Sequence, residues 1–341
     1  MDRLRVGTLG AARIAPAALI TPARQVPEVT VTAVAARDPD RARQFAARHG
    51  IAVVHDSYEA LIADPDVDAV YNPLPNSLHA PWTLRAIAAG KHVLCEKPFT
   101  SNEAEAAEVA DAATSAGLVV MEAFHYRYHP LARRMQQIVA GRGAAGGGGE
   151  HPDGGELGAL RHVEASLCFP VPRFSDIRYR FDLAGGATMD AGCYAINCIR
   201  LLGPGEPEVV SARARLHGPD IDRAMVADFR FPGGATGRIR TSLFSTQVLR
   251  ISARAVGELG EMRVLNYLAP QAFSLLTVRS GASTRWERIR GEATYTYQLR
   301  AFAGAVLRGE PVITTPEDAV ANMRQIDDVY RAAGLPLRGA R

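Results

Sequence analysis

Short apolar runs alternate with helix-forming stretches through the first 124 residues, and this alternation limits the possible folds more than any other feature. Arg3–Leu9, Val29–Ala36, Val67–Tyr71, His92–Cys95 and Leu118–Met121 read as strands. Between them Ala11–Val26, a stretch from Asp38-Pro39 to His49-Gly50, Ser77–Ala89 and Asn102–Ala116 read as helices. Asp38 suits an N-cap with Pro39 at the first helical position, and Gly90 and Gly117 are suited to close their helices. Strands separated by helices imply βαβ units, so residues 1–124 are expected to form a doubly wound Rossmann domain on a parallel sheet.

The pattern changes afterwards. Strand-like stretches at Leu160–Phe169, Val209–Leu216, Ala224–Phe231, Ala235–Ser242, Leu249–Ala255 and Glu261–Leu265 mostly follow one another without helices. A mostly antiparallel sheet is expected. Helices are expected at Pro130–Ala140, Asp190–Leu202, Tyr295–Leu307 and Glu317–Ala333. The fold class is therefore α/β, with residues 125–341 as a second α/β domain for substrate binding and oligomerisation. Residues 141–155 hold eight glycines. Such a segment cannot pack a core and reads as a flexible insertion that tolerates deletion.

Composition narrows the function classes. The 341 residues are 47% hydrophobic and 22% charged, which excludes a wholly disordered or fibrous chain. No apolar run approaches the ~18–20 residues of a membrane helix, and the start MDRLRVGTLG has no secretory pattern. Four cysteines without CxxC spacing suggest reduced thiols and a cytoplasmic protein. The net charge of +3 is too small to argue for nucleic acid. His125 and His129 are four apart but lack a third ligand, so no metal is expected.

Two places point to a dinucleotide. Gly10-Ala11-Ala12-Arg13-Ile14-Ala15 follows the first strand as a G-x-A-x-x-A turn. There Gly10 would make the turn, Ala12 would approach the pyrophosphate with Arg13 and Ile14 beside it, and Ala15 would allow close packing. A plain strand–helix turn is the alternative. The second strand ends at Ala36, followed by Arg37 and Asp38. An arginine there favours NADP over NAD. Asp38 has two readings, ribose ligand or helix cap, and Arg41 is a second candidate for the phosphate. Basic residues number 39, yet only Lys91 and Lys97 are lysine. A lysine can be tuned to exchange protons where arginine cannot, so each is a candidate for acid/base work.

Four motifs carry a family resemblance. They are Cys95-Glu96-Lys97-Pro98, Asn72 to His79, Glu122 to Arg127, and Gly185-Gly186-Ala187-Thr188-Met189-Asp190-Ala191-Gly192-Cys193-Tyr194. Together they resemble the glucose-fructose oxidoreductase / inositol dehydrogenase / rhizopine catabolism (GFO/IDH/MOCA) family, closest to its dimeric dihydrodiol dehydrogenase and NADP-linked xylose dehydrogenase branch. The resemblance implies that Lys97 is the acid/base group and that Glu96 lies on the nicotinamide side. It implies that Asn72, Leu74 and Asn76 line the cofactor pocket; His79 near the start of a helix has two readings, a lining residue of that pocket or a satisfied structural histidine. Asp190 would orient a substrate hydroxyl, Tyr194 would share the proton chemistry with Lys97, and Arg127 and Asn197 would bind substrate. Asp190 and Tyr194 are four apart and Asn197 is seven from Asp190, which puts all three on one face of the expected helix. Many relatives have His where this chain has Tyr194, and Ala12 replaces the middle glycine of the strict fingerprint.

The expected activity is NADP-dependent hydride transfer to or from a sugar, polyol or diol carbinol, in a homodimer or homotetramer. A glycosidase with tightly bound NAD and a nucleotide or sugar sensor are the alternatives. The dimer or tetramer is what the resemblance implies, and the face of the second sheet is the expected subunit interface, since an open antiparallel sheet must cover its apolar face.

Overall fold

The computed structural model describes residues 3–140, 155–247 and 249–339. The expected flexible insertion lies, apart from Gly155, outside the described residues. Two compact units are present, Met1–His125 with Tyr295–Met323, and Tyr126–Thr294 with Arg324–Arg341.

In the first unit β1 (Leu4–Leu9), β2 (Val29–Ala35), β3 (Val53–His55), β4 (Ala69–Asn72), β5 (His92–Cys95) and β6 (Val120–Glu122) form one sheet. Its order is β3-β2-β1-β4-β5-β6, with every neighbouring pair parallel. Leu4, Leu9, Val34, Val70 and Val93 are almost fully buried. Removing each such side chain from water contributes about 1.5–3 kcal/mol before conformational entropy is counted. Five crossover helices follow: α1 (Thr21–Ala23), α2 (Pro39–His49), α3 (Tyr58–Ala63), α4 (His79–Ala88) and α5 (Glu103–Ala116).

The helix expected from Ala11 starts later. Pro16 occupies the first position of a π turn, Pro16–Ile20, that runs into α1. The preceding residues are thereby left as a turn. β3 and α3 are absent from the sequence reading, because three strand residues are too few to display a period.

The second unit contains α6 (Pro130–Ala140), β7 (Leu160–Cys168), α7 (Cys193–Leu202), β8 (Glu208–His217), β9 (Ile221–Arg230), β10 (Thr236–Ser242), β11 (Arg250–Gly257), β12 (Gly260–Leu265), β13 (Leu275–Ser280) and β14 (Ser283–Glu287). The sheet order is β14-β13-β12-β11-β7-β10-β9-β8, antiparallel except between β7 and β10. Two helices end the chain, α8 (Thr294–Arg308) and α9 (Pro316–Ala332).

The expected assignment of all residues after 124 to the second domain needs correction. Tyr295–Met323 belongs with the first unit. Thr296 Oγ1 meets Gln25 Oε1 at 2.8 Å, Arg308 Nη1 donates to Glu28 Oε1 at 2.6 Å, and Glu122 N donates to Thr314 O at 3.1 Å. These contacts join segments far apart in sequence, which local pattern does not reveal.

The two faces of this sheet differ. The apolar side of the eight-stranded sheet, including Val163, Ala165, Ile239, Ala253 and Val264, is buried within the chain, with α6 and α7 packed on the sheet. In register on the other side stand Asp228, Arg238, Glu164, Arg254 and Arg263, one from each of five adjacent strands. Arg238 Nε pairs with Asp228 at 2.5 Å, and Arg254 and Arg263 both pair with Glu261. Thr277 and Trp286 extend this row across β13 and β14, and Leu265 stands opposite Leu275, so the second face mixes charged pairs with exposed Leu265, Leu275 and Trp286. Among the described residues no helix is long and apolar enough to cross a membrane.

Candidate active site

In the first unit the candidate residues stand at the carboxyl ends of β1, β4 and β5, three hydrogen-bonded neighbours. The strand order reverses between β1 and β4, which is where an open α/β sheet binds ligands. Gly10 has φ +90°, a conformation that L side chains rarely adopt, and an added Cβ would lie 3.3 Å from Leu74 Cδ2. Ala12 is half-buried, while Arg13 and Ile14 are exposed beside it.

At the end of β2, Ala36 is buried and Arg37 is exposed. The Asp38 carboxylate accepts the Asp40 and Arg41 N–H groups at 3.0 and 3.2 Å, which makes it the cap of α2. Its role as a ribose ligand is therefore not the one the geometry supports. The Asp38→Ala variant is expected to lose about 1 kcal/mol of stability in urea unfolding, with the cofactor KM unchanged. A rise in that KM would restore the ribose reading. Arg41 Nη2 donates to Ala11 O at 2.8 Å, so α2 is tied to the turn after β1. Tyr58 went unnoticed in the sequence. Its ring meets Trp82 edge-on at 4.9 Å, and burial raises the pKa of its hydroxyl.

A small buried Ala36, an exposed Arg37 and a glycine turn that leaves room for an approaching backbone fit a phosphorylated dinucleotide. Arg37 would hold the ribose phosphate, and the Gly10–Ile14 turn the pyrophosphate.

The loop after β4 serves structure more than contact. Asn72 is fully buried; its Nδ2 donates to His79 O and Thr83 Oγ1, and its Oδ1 accepts from Leu74 N. His79 is also buried, with Nδ1 2.7 Å from Pro98 O and Nε2 2.8 Å from Leu74 O. Burial and these internal hydrogen bonds make both residues supports of that loop, which is the structural reading of His79. Leu74 packs near Gly10, and Asn76 begins a short 3-10 turn.

Lys97 follows β5, half-buried, with a cis peptide to Pro98. Its neighbours are fixed from several sides. Glu96 Oε1 accepts from the Tyr71 hydroxyl at 2.7 Å, Glu122 Oε1 accepts from Phe99 N at 2.9 Å, and Pro98 O faces His79. The His125 ring lies against that of Tyr295, tilted by 36° with ring centres 4.0 Å apart, and burial followed by the Lys97 charge lowers its pKa to about 3. The other lysine is structural: Lys91 Nζ donates to the carbonyls of Asp64 and Val67 at 2.8 and 2.6 Å. Of the two lysines singled out by composition, Lys97 is thus the one placed beside the expected ligand site.

The second unit presents the other expected group. Asp190 lies in a π turn, Thr188–Gly192, that leads into α7 with Tyr194 and Asn197. Residues four apart share a face only in a continuous α-helix, and the π turn changes that phase between Asp190 and Tyr194. Arg178 Nε donates to Asp190 Oδ2 at 2.7 Å, and Nη1 to Asp176 at 3.1 Å. Attraction to Asp190 raises the Arg178 pKa. No motif or spacing announced this arginine. Tyr194 is buried, its ring centre 6.1 Å from that of Tyr126. The Tyr126 hydroxyl donates to Asn197 Oδ1 at 2.7 Å, while Asn197 Nδ2 is buried without a partner among the described residues. Arg127 follows Tyr126 in the short 3-10 turn His125–Tyr128.

A glycine turn after β1, a lysine after β5 and a following unit built on a largely antiparallel sheet are the organisation of a nicotinamide-dependent oxidoreductase. Residues 4–124 match the model of the oxidoreductase family with NAD-binding Rossmann fold, and residues 150–263 match the GFO/IDH/MocA C-terminal domain. The chain belongs to the GFO/IDH/MocA family of oxidoreductases, and acts as a dehydrogenase or reductase on CH–OH groups. It is 38% identical to a D-xylose 1-dehydrogenase (NADP(+)) of Haloferax volcanii, over 96% of each chain. It is 33% identical to trans-1,2-dihydrobenzene-1,2-diol dehydrogenase of Mus musculus, over 71% of this chain and 68% of that one. Its structure resembles a 3-ketoreductase from Actinomadura kijaniata solved with NADP and TDP-benzene. That match has a TM-score of 0.87 and 30% identity, covering 97% of this chain and 98% of the other.

Proposed function

We propose that this chain is an NADP-dependent sugar oxidoreductase that interconverts a secondary alcohol or cyclic hemiacetal with its ketone or lactone. Aldoses of the D-xylose type are the first substrate class. The observation that carries the reading is the placement of Lys97 after β5, two strands from the Gly10 turn in a sheet whose order reverses at β1. NADP, when bound, supplies the hydride acceptor or donor.

The residues divide the remaining work. Lys97 Nζ and the Tyr194 hydroxyl are the two groups able to take the carbinol proton in oxidation or return it in reduction. Asp190, held by Arg178, accepts a hydrogen bond from a substrate hydroxyl. Arg127 and the open donor of Asn197 serve substrate polar groups. Glu96, restrained by Tyr71, fixes the backbone from which Lys97 extends. The free, buried state of all four cysteines agrees with a cytoplasmic enzyme. Assembly as a homodimer or homotetramer completes the proposal.

The test follows NADPH absorbance with NADP⁺ and a panel of aldoses, polyols and trans-diols, D-xylose first. Turnover of an aldose supports the proposal. Tight NADP⁺ binding with no turnover across the panel would overturn it in favour of a sensor or a non-redox enzyme. A companion variant addresses the cofactor. Loss of a charge-assisted contact costs about 1.5–3 kcal/mol, so Arg37→Ala should raise the KM for NADP⁺ about 10- to 100-fold. The KM for NAD⁺ should stay within about threefold of the parent; equal effects on both cofactors would remove Arg37 from the phosphate site.

A further inference from the structure

Arg338 is the largest fully buried side chain among the described residues, and neither the motifs nor the proposed chemistry uses it. Its Nε donates to Gly185 O at 2.7 Å, Nη1 to Pro336 O at 2.9 Å and Nη2 to Asp222 Oδ1 at 3.1 Å. The guanidinium also lies over two rings, 4.2 Å from the centre of Tyr330 and 4.8 Å from that of Phe181. A planar fork can satisfy several acceptors at fixed angles while stacking on aromatic faces, which lysine cannot do.

Its partner Asp222, on β9, is equally buried. Besides Arg338 it accepts from the Tyr330 hydroxyl at 3.0 Å, Thr188 N at 2.7 Å and Thr188 Oγ1 at 2.6 Å. Four donors thus converge on one carboxylate, about the number it can accept. Thr188 is the first residue of the π turn that carries Asp190. Gly185 and Gly186 are the first two residues of the same motif. Gly186 has φ +133°, and a Cβ there would lie 2.2 Å from Asp222 Oδ1. Gly186 is therefore what lets Arg338 and Asp222 grip the backbone just before Asp190, while a Cβ on Gly185 would meet the carbonyls of Arg178 and Arg180.

We infer that Arg338 is a positioning residue for the substrate site: through Asp222 and Gly185 it fixes the turn that presents Asp190 and starts the helix of Tyr194. The inference rests on the reading of Asp190 and Tyr194 as substrate-contacting groups. Asp222 carries a second function in the same network, since its carboxylate caps Thr188, a backbone donor that the helix itself leaves unmet.

The test compares Arg338→Lys, Arg338→Met and the double variant Asp222→Asn/Arg338→Met with the parent. NADP⁺ binding is followed by fluorescence, amide exchange by mass spectrometry, and turnover with D-xylose as probe. The expected result is lost exchange protection confined to residues 185–194 and unchanged NADP⁺ affinity. The kcat/KM for D-xylose should fall about 10- to 100-fold, the scale of a small misplacement of reacting groups. The double variant, which removes both buried charges, should regain thermal stability without regaining turnover. Full turnover in a folded double variant would overturn the inference, because Arg338 would then only neutralise Asp222. Unchanged protection in Arg338→Lys and Arg338→Met would overturn it as well, and this readout needs no substrate. If Arg338→Met does not fold, Arg338→Lys and the double variant decide. Asp190→Asn and Tyr194→Phe are run in parallel: full activity in both removes the proposed substrate site, whatever Arg338 does.

Discussion

Replacing Lys97 with methionine is expected to lower kcat by about 10²–10⁴-fold, the usual contribution of a positioned acid/base group. Methionine keeps the length of the side chain and removes its proton. The loop that carries it is held by other residues: Glu96 by the Tyr71 hydroxyl, Phe99 by Glu122, and Pro98 beside His79. Folding and NADP⁺ binding should therefore survive, and kcat should fall much more than the KM for sugar changes. Tyr194→Phe separates the two proton candidates. If Lys97 takes the proton in sugar oxidation, the tyrosine variant keeps most of its rate and the acid limb of the pH profile, while Lys97→Met loses both. If Tyr194 transfers it, the order reverses. Near-parental kcat in Lys97→Met, with intact NADP⁺ binding, would remove the lysine from the chemistry.

Elements with a strong local signal were legible before any coordinates. Asp38-Pro39 announced the start of α2, because a capping carboxylate and a proline at the first helical position each act within one turn. Gly10 announced the turn after β1, because the chain there needs a positive φ. Lys97 stood out through composition alone, and the other lysine proved to be a backbone tether. Features built from distant segments stayed hidden. Arg178 reaches Asp190 only because the chain folds back before the π turn, and α8 reaches Gln25 across some 270 residues. Asn72 and His79 show a third limit. Their motif marks the loop correctly, but residue type alone does not say whether a polar side chain faces a ligand or supports the loop from beneath. Burial adds what residue type lacks: both are nearly inaccessible, and their polar atoms meet protein partners.

The same buried imidazoles make the first unit sensitive to acid well above the range of ordinary carboxylates. His79 is drawn down to about 4 and His125 to about 3, in both cases chiefly by burial, with the Lys97 charge adding to it. For His79 the two facing carbonyls favour the protonated ring, but complete enclosure outweighs them. A folded pKa below the unfolded value of about 6.5 means that the unfolded chain binds more protons between the two. Stability from these groups is therefore complete above pH 6.5 and is lost as pH falls toward 4 and then 3. At pH 5 each has cost about 2 kcal/mol, since one unit of pKa shift corresponds to 1.36 kcal/mol. Together that is about 4 kcal/mol out of the 5–15 kcal/mol typical of a folded protein. Urea midpoints measured at pH 7, 6 and 5 should fall steadily, with a slope of more than one proton. His125→Phe keeps an aromatic ring against Tyr295 and cannot titrate, so its loss over the same interval should be smaller by about 2 kcal/mol. A flat stability profile from pH 7 to 5 would mean that both rings stay accessible to protons in the folded chain, and that the loop beneath Lys97 is looser than its hydrogen bonds indicate.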